Sequence, residues 1–353
     1  MELSSVRALK AEVSADILGP LLREAREARS FGLAAGPMRR AVKPERGVAL
    51  GIAGGPSPHQ YRLAVRIQRR TFEDDGDLRR RLESVSHSEV DIRYVGRVAK
   101  RTTADPAVHP AVHGPMPPWF RLRQRPLLIG CSVGHHAVTA GSLGGFFRHR
   151  ETGRTVLLSN NHVLANEDLA KPGDAVLQPG RFDGGRRFKD RIGTLVGTVP
   201  MKTDGSNLMD AAIAGLAEGV PFDPRSITGF GLLRGLRDRP VEPGDEVLKI
   251  GRTTGLTHGV VTAIELDDVV VDYDRGQITF DRQIEIEGAG GSPFSSGGDS
   301  GSLILDREGD ACALLFAGSD HGGSNGKGVT NANDLSLVME TLNLELALEP
   351  LIA

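Results

Sequence analysis

Cysteine and aromatic residues are scarce in this chain of 353 residues, which holds 2 Cys, 1 Trp and 3 Tyr. Cys131 and Cys312 are too few to staple a secreted scaffold and lack the partners a metal site needs, so both are expected to be reduced and buried. So few rings also leave no platform on which nucleic-acid bases would stack. Charge of one sign is lacking too: 43 Lys plus Arg oppose 45 Asp plus Glu, and the formal charge of −2 provides no bulk field for nucleic acid or an anionic membrane. Nowhere is there an apolar run of about 18 residues, and the opening MELSSVRALKAEVSADILGP contains no unbroken apolar core of a leader. The expectation is a cytoplasmic protein with neither nucleic-acid nor membrane partners.

Glycine and proline, in contrast, are plentiful, with 45 and 20 residues, and so many turn formers suit short-stranded β architecture better than a helical bundle. A hydrophobic fraction of 39% against 25% charged residues fits a chain that buries a sizeable core. Apolar residues at helical spacing over 3–29 predict an N-terminal helix, which Gly32, Gly36 and Pro37 end. Two β-like runs, 47–53 and 61–68, then flank a Gly-Gly-Pro-Ser-Pro turn, followed by the helical DLRRRLESV and an alternating run over 89–98. Arg79, Arg80 and Arg81 in that helix read as a solvated face. Residues 1–104 are thus expected to form a helix plus a small α+β module.

From 105 to 126 six prolines interrupt any ladder, which marks a linker; Pro110 between His109 and His113 keeps that pair off a shared helical face. Beyond it, 127–353 consists of short β-runs separated by Gly-containing turns, indicating a β-barrel or sandwich. The final pattern, NDLSLVMETLNLELAL, predicts a closing helix with Asn333 as its N-cap.

Chemistry is concentrated where residue type conflicts with its surroundings. In SSGGDSGSLI (295–304) a Gly-rich turn presents Ser300 just before an apolar strand, and the amides of Gly298 and Ser300 are candidate donors to an oxyanion. Gly, Asp and Ser are also ordinary turn formers. A serine hydroxyl needs a base on a separate rigid element, and His162, at the end of the apolar TVLLSNNHVLAN, supplies one; its alternative is a core histidine satisfied by backbone. Asp210 in NLMDAAIAGL is a carboxylate in an otherwise apolar strand, costly to bury unless donors meet it, with an edge-strand Asp facing water as the alternative. Asp190 and Asp204 have loop-like flanks.

In order along the chain these pieces resemble the trypsin-like (chymotrypsin-fold) serine peptidases, over about 127–345. His162 precedes Asp210 by 48 positions and Asp210 precedes Ser300 by 90. KIGRTTGLTHGVV (249–261) further resembles a hairpin of the plant narrow-leaf peptidases and their bacterial relatives. The resemblance implies an all-β double six-stranded β-barrel with a C-terminal helix, His162 and Asp210 on the first barrel and Ser300 on the second. It implies a serine endopeptidase acting on a protein or peptide substrate through an acyl-enzyme, with His162 as base, Asp210 as its partner and no cofactor or metal. It puts the specificity pocket around Phe294 and the run Phe316, Ala317 and Gly318.

Neither pocket stretch has an acidic residue where a base of the pocket is expected, so a small or apolar side chain is expected at the cleaved position; Asp320 and His321 stand at the rim. Gly318 leaves backbone free to pair with an extended peptide. Asp299, before the nucleophile, needs a partner other than a cleaved N-terminus, with His135 or His136 as options. The alternative function is a catalytically idle protease-like scaffold that binds an extended peptide or protein; an esterase using the same triad is a third. The N-terminal module is expected to bind a partner or regulate access.

Overall fold

A computed structural model describes residues 1–19, 47–73, 76–85, 89–101 and 118–349. Helix α1 (Leu3–Val13) buries Val6, Leu9 and Val13, the one apolar stripe its spacing allows, and passes into a π turn over Ser14–Leu18. The rest of the helix expected over 3–29 lies outside the described residues. That stripe packs on β1 (Val48–Gly54) and β2 (Tyr61–Ile67), antiparallel with Val48 opposite Ile67 and Gly54 opposite Tyr61. Helix α2 (Gly76–Val85) crosses over to β3 (Val90–Tyr94), parallel to β2, and β4 (Val98–Lys100) follows. Most of the Pro-rich run over 105–126 lies outside the described residues; from 118 onward it enters a 3-10 turn, Trp119–Arg121.

The first barrel consists of β5 (Ser132–His135), β6 (Gly141–Ser142), β7 (Gly145–His149), β8 (Thr155–Ser159), β9 (Ala175–Leu177), β10 (Arg191–Thr198) and β11 (Ala212–Leu216). Taken as one bent strand, β6 and β7 close a six-membered ring: β6 pairs with β5, β7 with β8, and β8, β11, β10, β9 and β5 pair in turn. A one-turn helix, α3 (Asn161–Leu164), follows β8.

The second barrel repeats this plan with β12 (Glu246–Gly251), β13 (Gly255–Asp267), β16 (Gln283–Gly288), β17 (Leu303–Asp306), β18 (Asp310–Gly318) and β19 (Thr330–Asp334). Its ring runs β12, β13, β16, β19, β18, β17 and back to β12. The hairpin β14 (Val269–Tyr273) and β15 (Gly276–Phe280) lies outside that ring. Phe146 and Leu158 of the first barrel and Leu303 and Leu314 of the second share one apolar cluster, so the two rings are held by a common core. The all-β double barrel expected above is the fold of this chain.

Two edges of the second barrel receive the N-terminal residues. The far half of β13 pairs with β1, Ala53 opposite Ala263, and the end of β18 pairs with β4, Gly318 opposite Ala99. At the C-terminal end, α4 (Leu335–Thr341) is shorter than the periodic pattern, because β20 (Leu344–Leu346) leaves the helix to pair with β7. Its N-cap is Asp334, whose side chain accepts from the Leu337 amide at 3.1 Å, and not Asn333 as expected. Asn333 still belongs to the ladder of β19 and turns inward to Asp210 and Gln283.

Candidate active site

The apolar β8 delivers its chain into α3, all four residues of which are buried, so the His162 ring is fixed by packing at the junction of the barrels. His162 Nδ1 lies 2.5 Å from Asp210 Oδ2, and both side chains are fully buried. Asp210 sits just ahead of β11, and donors converge on it: the His162 amide at 3.3 Å on Oδ1, and the Tyr273 hydroxyl at 2.7 Å on Oδ2. Its backbone is clamped by two asparagines, since Asn160 Nδ2 donates to its carbonyl at 2.7 Å and its amide donates to Asn333 Oδ1 at 3.1 Å. Burial pushes the Asp210 carboxyl up, but His162 and the hydrogen bonds outweigh it and hold the group below the usual range. The same burial, with Asp210 beside it, drives the Tyr273 phenol well above its ordinary value and keeps it a donor. Nδ1 is held by the carboxylate, and the other ring nitrogen, Nε2, is buried with no hydrogen-bond partner among the described residues.

Ser300 reaches this place through a turn that only glycine permits at two points. Gly298 and Gly301 have φ of 102° and 89°, and a Cβ on Gly301 would meet Ser159 Oγ at 2.0 Å. The turn docks on the first barrel: the Ser142 amide donates to the Ser300 carbonyl at 2.7 Å, and Ser142 Oγ to the Gly298 carbonyl at 3.1 Å. Ser159 Oγ in turn donates to the Ser142 carbonyl at 2.8 Å, and Ser159 is three residues ahead of His162. At Gly141 a Cβ would meet Val163 Cγ2 at 2.4 Å and the Ser300 carbonyl oxygen at 2.9 Å, so the neighbours of His162 and Ser300 press on one residue. Ser300 Oγ itself donates to the Phe316 carbonyl at 3.1 Å.

The amides of Gly298 and Ser300 converge. Both donate to the carbonyl oxygen of Arg101, the second at 3.3 Å, and the Arg101 amide donates to the Phe316 carbonyl at 3.1 Å. Just upstream, Lys100 and Ala99 lie opposite Ala317 and Gly318 in an antiparallel pair. Phe316, Ala317 and Gly318 therefore line an extended segment of the chain itself. Phe294 does not join them: its ring is buried in the core of the second barrel with Val247 and Ile286, above Gly259, and its carbonyl accepts from the Thr257 hydroxyl at 2.7 Å.

Nor does Asp299 meet His135 or His136. Its Oδ1 accepts from the amides of Thr253 at 2.9 Å and Thr254 at 3.2 Å, its Oδ2 from the Thr254 hydroxyl at 2.7 Å, and Lys249 Nζ stands 3.5 Å away. Burial pulls the Lys249 amine down against the opposing effect of Asp299. The local cause is the turn joining β12 to β13, whose amides point inward beneath the loop that carries Ser300. A lysine in the apolar run EVLKIG was the signal for this partner. His135 and His136 lie instead beside Asp174, and the three offer donor atoms within 4.8 Å of one another, His135 Nε2 being 3.3 Å from Asp174 Oδ2. Tyr273, Asn160 and Asn333 had no sequence signal beyond polar atoms in apolar company.

No family model and no curated protein matches the chain. Among solved structures it is similar to Thermobifida fusca Protease A, with 17% identity, a TM-score of 0.44 and coverage of 63% of this chain and 98% of that one. Cellulomonas bogoriensis chymotrypsin aligns with 18% identity and a TM-score of 0.43, covering 63% of this chain and 99% of that one. For Nocardiopsis protease the values are 18%, 0.42, 62% and 98%. Among the described residues no helix is long and apolar enough to cross a membrane.

Proposed function

We propose that the chain is a serine endopeptidase in which Ser300 is the nucleophile, His162 the general base and Asp210 the group that fixes its tautomer. The observation that carries this reading is the convergence of the Gly298 and Ser300 amides on one peptide carbonyl, together with a buried His162–Asp210 pair whose Nε2 has no hydrogen-bond partner among the described residues. In the reaction, the Ser300 hydroxyl turns from Phe316 toward Nε2, gives up its proton and adds to the substrate carbonyl. The resulting oxyanion is met by two amides already in place, which need no reorganisation. His162 then protonates the leaving amine and activates water for deacylation, while the carboxylate of Asp210 stabilises the imidazolium. Substrate would add as a strand along Phe316–Gly318. The likeness of the β12–β13 hairpin to the narrow-leaf peptidases, and a cytoplasmic setting, belong to the same reading.

A second reading is favoured by one observation: the Ser300 hydroxyl is bonded to Phe316 and not to His162, as in a scaffold that holds an extended peptide without cutting it. A fluorophosphonate separates the two. Covalent capture of Ser300, abolished in His162→Ala, supports the enzyme; peptide binding without capture supports the scaffold.

A further inference from the structure

We propose that this site cuts after a Lys-Arg pair and that the bond joining Arg101 to Thr102 in its own chain is a substrate, an inference that rests on the peptidase reading above. The segment Val98–Arg101 is held as an acyl donor must be held. Its strand pairs antiparallel to β18, the Arg101 amide engages the Phe316 carbonyl, and the Arg101 carbonyl oxygen lies between the two amides that would receive the oxyanion.

The side chains give the preference. The Arg101 guanidinium is buried, ion-paired with Asp320, and donates to the carbonyls of Ser319 and, at 3.5 Å, Val329. Its entry depends on Gly318, where a Cβ would lie 2.6 Å from the Arg101 Nε. Lys100 is met by the buried Glu167 and by Asp274 at 2.6 Å. Taking two cations out of water is costly unless carboxylates meet them, and here three carboxylates meet two cations. The pocket expected from sequence to take a small or apolar side chain thus holds an arginine, because Asp320 reaches it from the rim and not from the base.

In the step itself, Ser300 Oγ passes its proton to His162 Nε2 and bonds to the Arg101 carbonyl carbon. The bond to the Thr102 nitrogen breaks as His162 returns the proton to that nitrogen. Water, deprotonated by His162, then displaces Ser300 and leaves Arg101 with a carboxylate and Thr102 with an amine. Since β1 pairs with β13 and β4 with both β14 and β18, the N-terminal product stays attached to the barrel.

Intact-mass spectrometry of the purified full chain is expected to find fragments 1–101 and 102–353, eluting together on a sizing column, while Ser300→Ala stays whole. Cleavage at that bond in Ser300→Ala would overturn the inference by assigning the cut to another protease. A double substitution, Lys100→Ala with Arg101→Ala, removes both side chains from their pockets, weakens the segment's hold on the cleft so that an added peptide can displace it, and carries the remaining arms. On a peptide library it is expected to favour Lys-Arg over Ala-Ala by about 100-fold, the scale of a lost partner to a buried charge. Fluorophosphonate capture of Ser300 in this double variant, combined with an uncut bond in the wild type or with no basic preference, overturns the inference and leaves the peptidase reading standing. Neither capture nor cleavage overturns both.

Discussion

The two barrels share one ring plan and differ in what they bury and what they do with their edges. The first fills its interior with apolar side chains such as Phe147, Leu157 and Ile213 and buries the Asp210 carboxylate beside His162 at its end. The second carries charge inside: Lys249 faces Asp299, and Arg66 from the N-terminal strands is bonded to Glu285 at 2.8 Å. Its strand edges are also taken up, β13 by β1 and β18 by β4. The difference teaches a division of labour. The first barrel holds the His162 ring through packing and its bond to Asp210, whereas the second positions a loop and an extended segment through directional polar contacts.

Breaking the catalytic half of this comparison is expected to have the largest effect. Ser300→Ala or His162→Ala should lower peptide turnover about 10⁴-fold or more, and Asp210→Asn by a similar factor, with the folded state retained by circular dichroism. Next comes the ionic interior of the second barrel. Lys249→Met removes the cation that faces the buried Asp299 carboxylate and should destabilise by about 3 kcal/mol in urea unfolding. Adding Asp299→Asn should recover part of that loss, so the double variant falls short of the sum of the singles.

A smaller effect is expected at Tyr273, which bears on Asp210 without touching substrate. Tyr273→Phe removes one donor to a charged acceptor, about 1.5 kcal/mol, and should lower kcat about tenfold with little change in KM. The smallest concerns acid. Because Asp210 titrates lower folded than unfolded, it contributes stability that is present above the ordinary carboxylate pKa of about 4 and lost as pH falls through the depressed value. Thermal melts below about pH 4 should therefore decline less steeply for Asp210→Asn than for the wild type.

The fold was legible where turns and alternation repeat, and the candidate site where a residue type clashes with its strand: a carboxylate in NLMDAAIAGL, a histidine closing TVLLSNNHVLAN, a serine in a run of glycines. What was illegible depends on pairing across the chain. Arg101 is one basic residue among many until β18 lies beside it, and Asp320 reads as a surface loop residue until that arginine reaches it. Lys249 and Asp299 are 50 positions apart, and only the β12–β13 turn makes them neighbours. The closing helix was overextended because Leu346 follows Leu342 at a helical step of four, while the backbone of 344–346 completes a ladder with β7.

The central claim is that Ser300, turned toward His162, is a nucleophile. Its most direct measurement is site-mapped labelling by a fluorophosphonate in the chain carrying Lys100→Ala and Arg101→Ala, where no side chain of the chain's own basic pair fills the cleft. The account predicts one adduct, on Ser300, abolished by adding His162→Ala. An unlabelled Ser300, or labelling indifferent to His162, would contradict it.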